Sequence, residues 1–102
     1  MIDAAEAIGT WEDTVEHILH YCEPEEVNNG LINRDIVEHE LGPLTVALRA
    51  RVEAADREFI RIRPTLVERF PGEFNPKYWN ATEDEWWWWP DRLPAEFAHS
   101  AQ

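Results

Sequence analysis

Residues 34–63 read RDIVEHELGPLTVALRARVEAADREFIRIR, and their periodicity decides the fold class. Val37, Leu41, Leu44, Leu48, Val52, Ala55, Phe59 and Ile62 recur at steps of three and four, one apolar stripe along a helical surface. The stripe crosses Gly42-Pro43 without losing phase. Proline lacks a backbone donor and clashes with the preceding turn, so the pattern predicts two helices, about 34–41 and 43–63. Pro64 either ends the second or starts a further short helix, TLVERF.

Toward the N-terminus, Thr10 and Asp13 stand at capping-box spacing. Trp11, Val15, Ile18, Leu19 and Cys22 follow as one apolar stripe, which predicts a helix over 10–22. Asp3 to Ile8 reads as a short lead-in that Gly9 ends. Residues 23–33, EPEEVNNGLIN, contain Pro24 and the turn signal Asn28-Asn29-Gly30 and read as a connection, with Asn33 as the next N-cap. Toward the C-terminus, Pro71-Gly72, Asn75-Pro76 and Trp79-Asn80 mark irregular chain. Thr82 and Glu85 form a second capping-box pair, opening a short helix that carries Trp86 to Trp89 and stops at Pro90. The expected fold is all-α: one domain over 1–102, a small bundle of three to five helices with a loop-rich, tryptophan-rich C-terminal third and a tail at about 95–102.

Charge narrows the function more than any motif does. Nine basic against twenty-one acidic residues give a net charge of −12. Residues 1–40 carry −10, residues 41–72 carry +2 and residues 73–102 carry −4. Such a balance opposes binding to phosphate backbones or anionic lipid, so neither direct nucleic-acid nor membrane contact is expected. Six arginines in the middle cannot neutralise eleven carboxylates in the first forty residues. Much of the negative potential must face solvent, where it steers a basic partner inward. The expected contact residues are Glu12, Asp13, Glu16, Glu23, Glu25 and Glu26.

No catalytic or cofactor motif stands out. Serine occurs once, the four glycines are scattered, and Cys22 sits among carboxylates that disfavour its thiolate. His17, His20 and Cys22 do not converge on one ion, because Cys22 lies about 200 degrees around the helix from His20. Asp13–His17, Glu16–His20 and Asp35–His39 place an acid four residues before a histidine, as an acidic chain does by chance. No cofactor, metal or enzymatic activity is therefore expected. A lone cysteine, no secretory leader and no run near the roughly 20 apolar residues of a membrane span fit a soluble cytoplasmic protein.

Trp86-Trp87-Trp88-Trp89 is the unusual feature. Four successive helical positions cover about 300 degrees, so one core cannot take them all. Either the segment lies in a groove of the bundle or some of the rings anchor a partner. Small size, acidity and aromatic anchors together favour a non-catalytic immunity or inhibitor protein that neutralises a basic partner such as a nuclease toxin. The alternatives are a phage-type nucleic-acid mimic, anti-restriction or anti-CRISPR-like, and a homo-oligomeric accessory module (a homodimer, for example) joined through the tryptophan patch.

Overall fold

A computed structural model describes residues 3–20 and 24–94, with Pro24 and Glu25 as backbone only. Helix α1 spans Ala4–His17 and runs on into a 3-10 turn at Ile18–His20; α2 spans Pro24–His39; α3 spans Val46–Arg69; a second 3-10 turn holds Trp86–Trp88. The described residues contain no strand, and the all-α bundle expected from the periodicity is the fold observed.

α1 starts earlier than the capping signal at Thr10 suggested. Asp3 is its N-cap, accepting from the Glu6 amide at 3.2 Å. Thr10 lies inside the helix and donates its hydroxyl to the Glu6 carbonyl at 3.1 Å; Thr14 repeats the bond to Thr10 at 2.8 Å. Gly9 therefore ends nothing, and the lead-in and main helix are one. Ile8, Trp11, Thr14, Val15 and Ile18 form the buried side.

From Pro24 onward, α2 overturns the expected connection. Its inner face is Val27, Gly30, Leu31, Arg34 and Val37, helical spacing in which a glycine and an arginine replace apolar residues. Asn28-Asn29-Gly30 is not a turn. A Cβ on Gly30 would lie 2.5 Å from Thr14 Cγ2, so glycine serves the close approach of α2 to α1. Tertiary packing outweighs local turn preference here. Asn33 is likewise interior, its amide donating to Thr14 Oγ1 at 3.3 Å.

The break at Gly42-Pro43 is where the sequence put it. Gly42 takes φ +68°, and Thr45 then caps α3, accepting from the Leu48 amide at 3.2 Å. α3 runs through Pro64 to Arg69, so neither a stop nor a separate TLVERF helix occurs. Pro64 sits on the exposed side, while Ile62, Arg63 and Leu66 around it are buried. Packing of these neighbours outweighs the loss of one backbone bond at the proline.

α1 packs against both other helices, but the backbones of α2 and α3 do not meet. Long side chains fill the wedge between them. Arg34 of α2 reaches Asp56 of α3, Phe59 of α3 reaches Trp86, and the tryptophan turn seats on α2. That wedge is why a 102-residue bundle holds so many indoles in its C-terminal third.

Candidate functional site

Two regions carry most of the residues singled out by sequence: the outer face of α1 and the tryptophan turn. Burial of Ile8, Trp11, Thr14, Val15 and Ile18 turns the opposite side of α1 to solvent. Asp3, Glu6, Asp13, Glu16, His17 and His20 are all exposed there. Among the described residues no ion pair engages Glu6, Asp13 or Glu16.

Glu12 differs. It grips Arg51 of α3 in a bidentate pair, Oε1 to Nη2 at 2.6 Å and Oε2 to Nε at 3.1 Å. The guanidinium hydrogen bonds hold the Glu12 carboxyl below its usual range, more strongly than partial burial raises it. Next to this pair a groove of about 350 Å³ runs between α1 and α3, with Val15, Ala54 and Ala55 as apolar floor and Glu12, Glu16 and Glu58 on its edges. Glu26 is half-buried on α2, beside a polar hollow lined by Thr14, Asn29, Gly30 and Asn33. Glu23 lies outside the described residues, and Glu25 is described only as helical backbone. Of the six acids expected to form one face, Asp13 and Glu16 are open, Glu12 is paired and Glu26 stands on a different helix.

The tryptophans occupy the wedge. Trp86, Trp87 and Trp88 are 6%, 0% and 2% exposed, and Trp89 is half-buried. A 3-10 turn sunk between elements, rather than an α-helix lying on one, lets three successive rings face protein on different sides. Trp86 packs on Phe59 with centroids 6.1 Å apart, and Phe59 on Trp11 at 5.3 Å. Trp87 lies under the Arg34 guanidinium, 4.5 Å from ring centroid to Cζ. Trp88 stacks on Trp79 at 5.3 Å. Both Trp87 and Trp88 donate their indole N–H to Asp35 Oδ1 at 2.8 Å. Burial pushes the Asp35 carboxyl up, and these two donors offset only part of that.

Arg63 donates to the carbonyls of Trp86 at 3.4 Å and Trp89 at 3.2 Å, pinning the turn from α3. Three of the four rings proposed as anchors are thus occupied inside the chain; among the described residues the exposed aromatic surface is Tyr78 and Trp79, 72% and 39% exposed.

Sequence reasoning missed Arg34 and Asp56. Arg34 donates Nε to Oδ1 and Nη2 to Oδ2 of Asp56, both at 2.9 Å, and Trp11 Nε1 adds a third bond at 3.0 Å. Burial raises the Asp56 carboxyl above its ordinary value despite the arginine and the indole. A signal existed: Arg34 and Asp56 both fall in phase with their helices' apolar stripes.

Among the described residues, two groups bring three metal-ligating side chains together, with one ligand atom from each within 4.8 Å of the others: Asp13, Glu16 and His17, all exposed on α1, and Asp35, His39 and Glu85, drawn from α2 and the loop before the tryptophan turn. His17, in the first, turns Nδ1 to the Asp13 carbonyl at 2.9 Å. Of the other two residues weighed for a metal, His20 is exposed at the end of the 3-10 turn and Cys22 lies outside the described residues. Among the described residues no helix is long and apolar enough to cross a membrane. No family model, curated protein or solved structure matches the chain.

Proposed function

We propose that this protein is a non-catalytic binder that docks the outer face of α1 on a basic macromolecular partner and blocks it, as an immunity or inhibitor protein does to a nuclease toxin. The observation that supports this reading is that Asp13 and Glu16 stand exposed on α1 without an ion pair among the described residues, in a chain of net charge −12. The adjoining groove suits a basic side chain. Its aliphatic stem would lie on Val15, Ala54 and Ala55 while its charged head meets Glu16. Long-range attraction of this kind raises the association rate more than it lowers the dissociation rate, and salt weakens it.

The test begins with capture of the partner from source-cell lysate at low salt, identified by cross-linking at α1. Association is then timed for the natural chain and for Asp13→Lys/Glu16→Lys. The reading requires a basic partner, an on-rate that falls with salt, and an on-rate reduced roughly tenfold or more by the double reversal. A neutral or acidic partner, or on-rates the reversal leaves unchanged, rejects it.

A further inference from the structure

We propose that Asp35, His39 and Glu85 form a binding site for one divalent transition-metal ion, of the zinc class, that ties the tryptophan turn to the end of α2. Asp35 and His39 are four residues apart on α2 and share a face; Glu85 arrives from the loop immediately before the 3-10 turn. One oxygen or nitrogen from each lies within 4.8 Å of the others. His39 Nε2 and Glu85 Oε2 are 3.1 Å apart. Two ligands each about 2.0–2.1 Å from zinc, at angles near tetrahedral, stand about 3–3.4 Å from one another. Those two atoms already hold that spacing, and Asp35 offers a third ligand atom within 4.8 Å of both, leaving a fourth position for water.

The surroundings resemble an outer coordination shell. Asp35 Oδ1 is held by the indole N–H groups of Trp87 and Trp88, and Oδ2 has no protein donor among the described residues. Glu85 Oε1 is held by the amide and hydroxyl of Thr82, at 2.8 and 3.1 Å, with Oε2 turned to the imidazole. Each carboxylate thus has one oxygen fixed by the fold and one directed elsewhere, which is how second-shell donors orient metal ligands. His39 is the last residue of α2, where unsatisfied carbonyls favour a cation. The imidazole among the ligands selects zinc or a neighbouring transition metal over magnesium and calcium, which prefer oxygen throughout. The other cluster, Asp13, Glu16 and His17, has one such contact, His17 Nδ1 to the Asp13 carbonyl, but its side chains are all exposed and share one helix, so an ion there would join no two elements.

Zinc chloride is titrated into the full chain by calorimetry in a non-chelating buffer, with cobalt chloride as a spectroscopic probe. The site predicts one zinc ion per chain at micromolar affinity or tighter, and a visible cobalt band. His39→Ala should weaken binding at least tenfold and abolish the band, while His17→Ala changes neither. Thr82→Val should weaken it by about tenfold through loss of a second-shell donor. His39 is half-exposed, so its variant keeps the helical circular-dichroism spectrum of the parent and decides the matter even if a Glu85→Gln chain fails to fold. No stoichiometric zinc binding, binding that survives His39→Ala, or binding that His17→Ala removes would each overturn the assignment.

Discussion

Arg34 and Asp56 join two helices whose backbones never meet, through a two-pronged ion pair in which both side chains are less than a tenth exposed. Such a pair is hard to break one side at a time. Asp56→Ala leaves the guanidinium buried without its counter-charge and should cost about 3–5 kcal/mol, read as a lowered urea midpoint. Replacing both, as Arg34→Met/Asp56→Leu, removes the charge penalty and should recover most of that loss. It should still fall short of the parent by about 1–3 kcal/mol, because the Trp11 indole N–H loses its acceptor. A double variant as unstable as the single one would show that the gap depends on charge rather than on volume.

Gly30 sets two local effects against each other. Alanine at a helix interior gains about 0.8–1.0 kcal/mol over glycine. Here the added methyl would meet Thr14 Cγ2 at 2.5 Å, and overpacking of this kind costs about 1–3 kcal/mol. Gly30→Ala should therefore destabilise. In a Thr14→Ser background, which removes Cγ2 and keeps the hydroxyl bond to Thr10, the same change should be neutral or stabilising. Thermal melts of the four chains check it, and equal losses in both backgrounds would contradict the packing argument.

The indoles should divide sharply by position. Trp87→Ala empties the centre of the wedge and should cost about 3–5 kcal/mol. Trp79→Ala, at a ring 39% exposed, should cost less than half as much. If the two denaturation midpoints coincide, the turn is not the closure of the core.

Glu12 gives the pH dependence a sign. Its folded carboxyl titrates below the ordinary value of 4.5 because of Arg51. The stabilisation is complete above 4.5 and is lost as the pH falls through the lowered folded value, since the unfolded chain takes up the proton first. The pair is more than a third exposed, so solvent screening keeps the effect small. Glu12→Gln should flatten that part of the acid limb in equilibrium unfolding; an unchanged limb would mean the pair contributes nothing.

The helical class, the break at Gly42-Pro43 and the apolar side of α3 were legible because apolar residues there repeat without exception from Val52 to Ile62. α2 was not legible, because its inner face uses Gly30 and Arg34, which read in sequence as a turn and as surface. The N-terminus of α1 was misplaced because Thr10 carries a capping signal that its hydroxyl uses inside the helix. The acidic outer face of α1 followed from the stripe opposite it. That Glu12 would be paired and Glu26 sit on another helix depended on spatial neighbours. Glu85 lies 46 residues from His39, so no spacing could have joined them.

The wedge between α2 and α3 is closed by residues that leave the ribosome late, since Trp87 follows its acceptor Asp35 by 52 positions. A chain that stops before residue 86 keeps the Arg34–Asp56 pair and the Trp11–Phe59 contact but lacks the rings that pack on Phe59 and on the Arg34 guanidinium. Such a truncated chain should therefore be cut faster than the full one in limited proteolysis.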